Sequence, residues 1–237
     1  MKMTDETGPW DAAAFDQLER WTPAMSTALE KVTNDPWTGA LDPKTVELVC
    51  VAFNASCTNL NADGTRLHIR NALAAGATRD ELLTVLMMAS LLSIHTCSLG
   101  APILIEEAKN AGVTATAKQV STPNCDRMHA AGEWNAAWDP FYALDPAWTD
   151  AVMACGVTVF AGGVFGPKVA EFLSIALDAS ITHMYAPGTR RHIKAALAHG
   201  ATVDEIMDVL KLCVAQGVQA LNMGVPILDE ELSRTGG

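Results

Sequence analysis

The sequence has few of the signals that announce a β-strand: no alternating apolar and polar run is bounded by Asn-Gly or Asp-Gly. It has no C-x-x-C pair. Its six cysteines are too sparse for a disulfide scaffold, so most are expected to be free thiols that pack as small hydrophobes. Basic residues are outnumbered, and the formal net charge of −11 excludes the Lys and Arg clusters that nucleic acid or an anionic membrane requires. No G-x-G-x-x-G follows a strand and no Walker loop occurs, so a nucleotide cofactor is not expected. H-E-x-x-H and G-x-S-x-G are missing, which removes the usual zinc hydrolase and serine hydrolase readings. His95-Thr96-Cys97 and the Cys125 to His129 segment offer only loose pairs of metal ligands, so no metal is expected. The first eight residues, Met1 to Gly8, are polar and acidic with no apolar h-region, and predict no signal peptide. The most apolar stretch, Leu82 to Ile94, is too short to span a bilayer. These absences predict a cytoplasmic protein.

What is present is a repeat. Adding 124 to a residue number between about 41 and 107 lands on a similar residue without any gap. Gly64-Thr65-Arg66 becomes Gly188-Thr189-Arg190, and His68-Ile69 becomes His192-Ile193. Gly76-Ala77-Thr78 becomes Gly200-Ala201-Thr202, and Pro102-Ile103-Leu104 becomes Pro226-Ile227-Leu228. Trp10 and Trp134 share the offset, which extends the unit toward the N-terminus. The organisation expected is a first unit over 1–113, a linker over 114–133 and a second unit over 134–237.

Punctuation within each unit is helical. Asp42-Pro43 reads as an N-cap followed by proline at the first helical position, and Val46, Val49, Cys50 and Phe53 share one face of the helix that follows. Asn61 to Gly64 breaks that helix, and the next one closes at Gly76. Thr78-Arg79-Asp80-Glu81 and Thr202-Val203-Asp204-Glu205 are capping boxes. Gly100-Ala101-Pro102 marks a kink or a new helix start, and Trp138 to Tyr142 reads as an aromatic seal on a helical core. The prediction is an all-α fold of two related units.

Six residues carry candidate acid/base chemistry. His68 and His192 are equivalent, as are Glu47 and Glu171 on the apolar first helix of each unit. Each His is either a structural group bonded to a backbone carbonyl or a proton carrier. Each Glu either faces solvent or is held by a His or Arg; buried alone, its pKa would rise toward that of a useful acid. His95 and His183 are not duplicated, since their equivalents are Gln219 and Asn59, and Tyr185 and Cys97 correspond to Asn61 and Leu221. This asymmetry points to one working site per chain, or to a composite one. Arg66 and Arg190 lie two residues before a His, about 200° away around the helix.

The pattern Leu41-Asp42-Pro43-Lys44 with Glu47, then Gly64, His68-Ile69, Gly76-Ala77-Thr78 and Glu81, then Gly100-x-Pro102, resembles the carboxymuconolactone decarboxylase family. So does His183-Met184-Tyr185-Ala186-Pro187-Gly188 with Arg191-His192-Ile193, Gly200-Ala201-Thr202 and Glu205. The resemblance implies an alkylhydroperoxidase-D-like helical fold and a homo-oligomer, with a fused two-unit chain favouring a trimer. It implies chemistry without an organic cofactor: decarboxylation or isomerisation of a small anionic lactone or dienol of aromatic-compound metabolism. In that scheme His68, His95, His183 and His192 are acid/base or hydrogen-bonding groups, oriented by Glu47 and Glu171. Arg66 and Arg190 anchor a carboxylate, Tyr185 donates to an oxyanion, and Cys97 lines the pocket. The peroxidase branch of the same fold uses two cysteines, whose places in Thr58 to Ala62 hold none. A thiol peroxidase and a non-catalytic ligand-binding oligomer are the alternatives.

Overall fold

The computed structural model describes residues 8–114 and 119–235; Met1 to Thr7, read above for targeting signals, and positions 115–118 of the expected linker lie outside the described residues. The chain is helical, with no strand among the described residues. In order, the helices are α1 (Ala12–Trp21), α2 (Pro23–Asn34), α3 (Pro43–Ala55), α4 (Ala62–Ala74), α5 (Arg79–Leu91), α6 (His95–Asn110), α7 (Pro123–Ala131), α8 (Asp139–Leu144), α9 (Pro146–Ala161), α10 (Pro167–Ala179), α11 (Ala186–Ala198), α12 (Val203–Ala215) and α13 (Gln219–Thr235). The bounds of α3, α4 and α5 become those of α10, α11 and α12 when 124 is added, and α6 and α13 start at the same offset.

The repeated punctuation forms as expected. Asp42 caps α3 by accepting from Thr45 N, and Pro43 follows it. Both capping boxes close, with Thr78 N donating to Glu81 Oε2 at 2.7 Å and Thr202 N to Glu205 Oε2 at 2.7 Å. Each box is tied to the first helix of its repeat by a lysine: Lys44 Nζ meets Glu81 at 2.8 Å and Lys168 Nζ meets Glu205 at 2.7 Å. Gly76 and Gly200 end α4 and α11 at φ of 90° and 81°, a region that a side chain disfavours.

Two compact units form, one from residues up to 89 with those from 165 on, the other from 90–164. They do not follow the sequence repeats. The first unit holds α3, α4 and α5 together with their copies α10, α11 and α12. At its centre α3 packs against α10. Val46, Leu48, Val49, Cys50 and Val51 on α3, and Phe172, Leu173, Ile175 and Ala176 on α10, are at most 1 % exposed. A helix apolar on all sides belongs in the middle of a bundle. In the turns beyond these helices Thr58 Oγ1 meets Thr182 Oγ1 at 3.0 Å. A residue touching its own equivalent lies on a pseudo-two-fold axis.

The terminal helices are exchanged between repeats. In the first unit α1, from the first repeat, packs on α13, from the second. Trp10, Ala14 and Leu18 bury against Val218 and Val225, and Asn222 Nδ2 donates to Pro9 O at 2.8 Å. In the second unit α6, from the first repeat, packs on α8, from the second. There Ala101, Cys125, Phe141 and Met153 form the core, with Cys97, Trp134, Trp138 and Tyr142 against it, so the aromatic segment does seal a core. Pro123–Ala131, inside the segment read as a linker, is helix α7; proline opens it, Cys125 is buried, and Asp150 accepts from Asn124 N at 2.8 Å and Cys125 N at 3.0 Å.

Two readings change. Of a kink or a new helix start at Pro102, the helix start does not hold; Pro102 sits inside α6. The apolar stretch from Leu82 does not stop at Ile94. Arg79–Asn110 is helical over 32 residues, with a mean hydropathy of 1.8 in its most apolar window, and by length and composition alone is long enough to cross a bilayer. Its α5 portion is core: Leu82, Val85, Met88 and Ala89 are buried. Such a helix is what a central element of a helical bundle also looks like.

Candidate active site

Both Glu–His pairs form, and both lie in the first unit. Glu47 projects from α3 and His68 from α4, and His68 Nδ1 is 2.7 Å from Glu47 Oε2. Glu171 projects from α10 and His192 from α11, and His192 Nδ1 is 2.6 Å from Glu171 Oε2. A carboxylate on one ring nitrogen fixes the orientation and tautomer of the imidazole and leaves Nε2 to act. The geometry is duplicated, but the surroundings are not.

The first pair is sealed. His68 is fully buried and Glu47 is 6 % exposed. Trp37 Nε1 donates to Glu47 Oε1 at 3.0 Å, and the Trp37 ring stacks on His68 with centroids 6.4 Å apart. Trp37 is held in place from the second repeat: Asp208 of α12 accepts from Ala40 N at 2.6 Å, and Lys211 bridges Asp208 and Asp35. Asn54, on α3 seven residues beyond Glu47, spends its amide on Cys50 O at 2.8 Å. Asn59 and Asn61 are likewise structural, donating to Phe53 O at 3.0 Å and Gln219 Oε1 at 2.7 Å.

The second pair is more open. The side chains of His192 and Glu171 are 14 % and 21 % exposed. The sequence has Ala161 where Trp37 stands, Asp178 in place of Asn54, Arg191 in place of Leu67, and His183 and Tyr185 in place of Asn59 and Asn61. Asp178 Oδ2 lies 3.7 Å from His192 Nε2. Gly188 allows this approach, because a Cβ there would sit 1.9 Å from Asp178 Oδ2 and 2.8 Å from Tyr185 Cδ1. Those clearances also place the Tyr185 ring and the Asp178 carboxyl next to one backbone position. The His183 and Tyr185 rings are 5.8 Å apart, on a turn in which Met184 takes a φ of 53°, as its equivalent Leu60 does at 52°. Arg191 Nη2 lies 2.9 Å from His192 Nε2.

Burial pushes the Asp178 carboxyl up to about 7, against a smaller opposing pull from the Arg191 charge. Burial also lowers the pKa of His183, which favours the neutral ring. A carboxyl that exchanges its proton near neutrality beside an oriented imidazole is an arrangement for acid/base work. It also costs stability. Below the unfolded-state pKa near 3.8 Asp178 is protonated in both states and no cost arises. As pH rises toward 7 the unfolded chain ionises first, so stability falls across that window. A rise from 3.8 to about 7 corresponds to about 4 kcal/mol. Asp178→Asn, which copies the residue at the equivalent place, is expected to raise stability by about 2–4 kcal/mol at pH 8 and to leave it unchanged at pH 3. Urea melts at both values check this; equal effects at the two would show that the carboxyl is not desolvated.

Arg66 and Arg190 are exposed on α4 and α11, and it is Arg191, not Arg190, whose guanidinium reaches the imidazole. His95 and Cys97 belong to the second unit, in the first turn of α6, where Cys97 packs on that unit's core. Trp37, Asp178 and Arg191 were not picked out from sequence. Asp178 had a signal: it is an acid seven residues after Glu171 in an otherwise apolar run, hence on the same face of the helix.

A family model for carboxymuconolactone decarboxylases matches residues 23–93. A crystal structure from Burkholderia xenovorans LB400, provisionally named a gamma-carboxymuconolactone decarboxylase subunit, is 34 % identical over 95 % of this chain and 92 % of its own, with a TM-score of 0.85. The chain belongs to the carboxymuconolactone decarboxylase family. No curated protein matched it. In this family member the family model covers the first Glu–His pair, whereas the structural likeness extends over the second as well.

Proposed function

We propose that this protein is a cofactor-independent acid/base enzyme that decarboxylates or isomerises a small anionic lactone or dienol-type intermediate of aromatic-compound metabolism. Family membership supports the class of chemistry. The observation that carries the reading is the second Glu–His pair, with Asp178 and the Arg191 guanidinium beside His192 Nε2 and Tyr185 at the start of the same helix.

In decarboxylation the bond from the ring to the substrate carboxylate breaks, carbon dioxide leaves, and the electron pair remains as a dienolate. Tyr185 supplies a hydroxyl for the developing oxyanion. Asp178, protonated near neutral pH, or the imidazolium of His192 delivers a proton to carbon, and solvent restores it. In isomerisation His192 Nε2 takes a proton from one carbon and the same groups return it at another. Glu171 keeps the imidazole in register throughout. The first pair, in which each of these titratable neighbours is replaced by an amide or a leucine, serves the fold. One working site per chain follows.

A thiol cycle has little to stand on. Burial raises the Cys50 thiol and pushes that of Cys213 up to about 12, so neither offers a thiolate. The setting is a cytoplasmic homo-oligomer, with a trimer favoured. Apolar side chains exposed at equivalent positions of α6 and α13, Leu99 and Met223, Ile103 and Ile227, Leu104 and Leu228, support self-association.

The test is turnover of a carboxymuconolactone-type acid before and after iodoacetamide treatment, with the mass in solution read by light scattering. Cys57 and Cys155, both exposed, are expected to be alkylated while turnover stays within about twofold. No turnover, or turnover abolished by alkylation, would remove the acid/base reading, and a monomer at micromolar concentration would remove the oligomer.

A further inference from the structure

The proposed catalytic nitrogen is masked by a neighbouring guanidinium. A guanidinium can only donate, so at 2.9 Å His192 Nε2 accepts from Arg191 Nη2. The ring proton is then on Nδ1 and is donated to Glu171 Oε2. In that arrangement the Nε2 lone pair is spent on a cation and can take no proton. Arg191 is exposed, and a guanidinium carries five N–H donors, more than the one bond to His192 uses. Glu171 and Asp178 on α10 flank the His192 ring, and His183 and Tyr185 stand on the turn before α11. The first repeat has Leu67 at this position, so its buried imidazole has no such mask.

We infer that Arg191 is a substrate-operated gate: the carboxylate of a small acid draws its guanidinium away from His192, which at once anchors the acid and releases Nε2 for proton transfer. A bidentate arginine–carboxylate pair is charged on both sides and outcompetes the bond to a neutral imidazole nitrogen. Withdrawing the guanidinium also removes the charge that opposes protonation of Asp178, so the neighbouring acid keeps its proton while substrate is bound. Proton chemistry is thereby confined to the complex with a carboxylate. The inference rests on the reading of Glu171–His192 as the acid/base centre, but it can be tested without turnover.

Sodium succinate serves as a carboxylate probe, with the full-length protein labelled with nitrogen-15 in its histidine rings. In the wild type, saturating succinate is expected to move the His192 Nε2 resonance toward that of an imidazole nitrogen with no donor. In Arg191→Ala the resonance should sit at that position without succinate, and succinate affinity should fall at least tenfold. Arg191→Lys, a point charge without the fork, should bind with intermediate affinity, and Lys194→Ala on the exposed side of α11 should match the wild type. Equal affinity in Arg191→Ala and the wild type would overturn the gate, as would a His192 resonance that succinate leaves in place. A wild type that turns over no lactone acid yet shows the succinate response would sink the enzymatic reading and keep the anion gate. An active protein whose Arg191→Ala variant keeps its kcat and KM would do the reverse.

Discussion

Replacing His68 with alanine is expected to cost about 3–5 kcal/mol of stability, enough to remove a third or more of what holds a typical domain together. The size follows from burial. Glu47 is 6 % exposed and would lose the imidazole that meets its Oε2, keeping only the Trp37 donor on Oε1. A carboxyl group stripped of one of two partners in a buried site bears most of its desolvation cost, whichever way the proton had been shared. The ring also leaves a cavity between α3 and α4, lined by helices whose packing fixes the first unit. His68→Gln, which keeps a side-chain amide in reach, should recover part of the loss. Urea unfolding at pH 7 measures it, with Trp37 as a fluorescent reporter within the site. A loss below about 1 kcal/mol for His68→Ala would mean that the pair is not the structural tie described here.

Much of this architecture was readable because duplication is itself a measurement. Any residue type kept at both i and i+124 reports a constraint that acts on both copies, so the order of the helices and the capping boxes followed from one offset, while each Glu was left facing solvent or held by a His or Arg. The exchange of terminal helices did not. The contacts of α1 with α13 join residues some 200 positions apart, and nothing in the periodicity of either helix names its partner. The site was half legible for the same reason. Asymmetry between copies pointed to His183 and Tyr185, and the same comparison applied to positions 54 and 178 would have shown an acid facing an amide. Arg191 was beyond reach: two adjacent arginines precede His192, and which one folds back along the helix depends on side-chain conformation. Trp37 escaped because its loop is held by Asp208, whose equivalent is Thr84, so the repeat gave no warning.

His192 divides the two copies most sharply. With Nδ1 held by Glu171, and Asp178 3.7 Å from Nε2, its replacement by glutamine removes the group that carries the proton while leaving a side chain of similar reach. General acid–base catalysis by a positioned imidazole contributes about 10²–10⁴-fold. Because the ring and the Glu171 side chain are both partly exposed, the structural cost should be small. The decisive measurement is therefore kcat/KM on a carboxymuconolactone-type acid for His192→Gln and His68→Gln side by side, each with its urea midpoint. The account predicts a fall of about 10²–10⁴-fold at a near-native midpoint for His192→Gln, and a lowered midpoint with kcat/KM within about threefold of wild type for His68→Gln. Equal losses of turnover in the two variants, or a loss confined to His68→Gln, would contradict it.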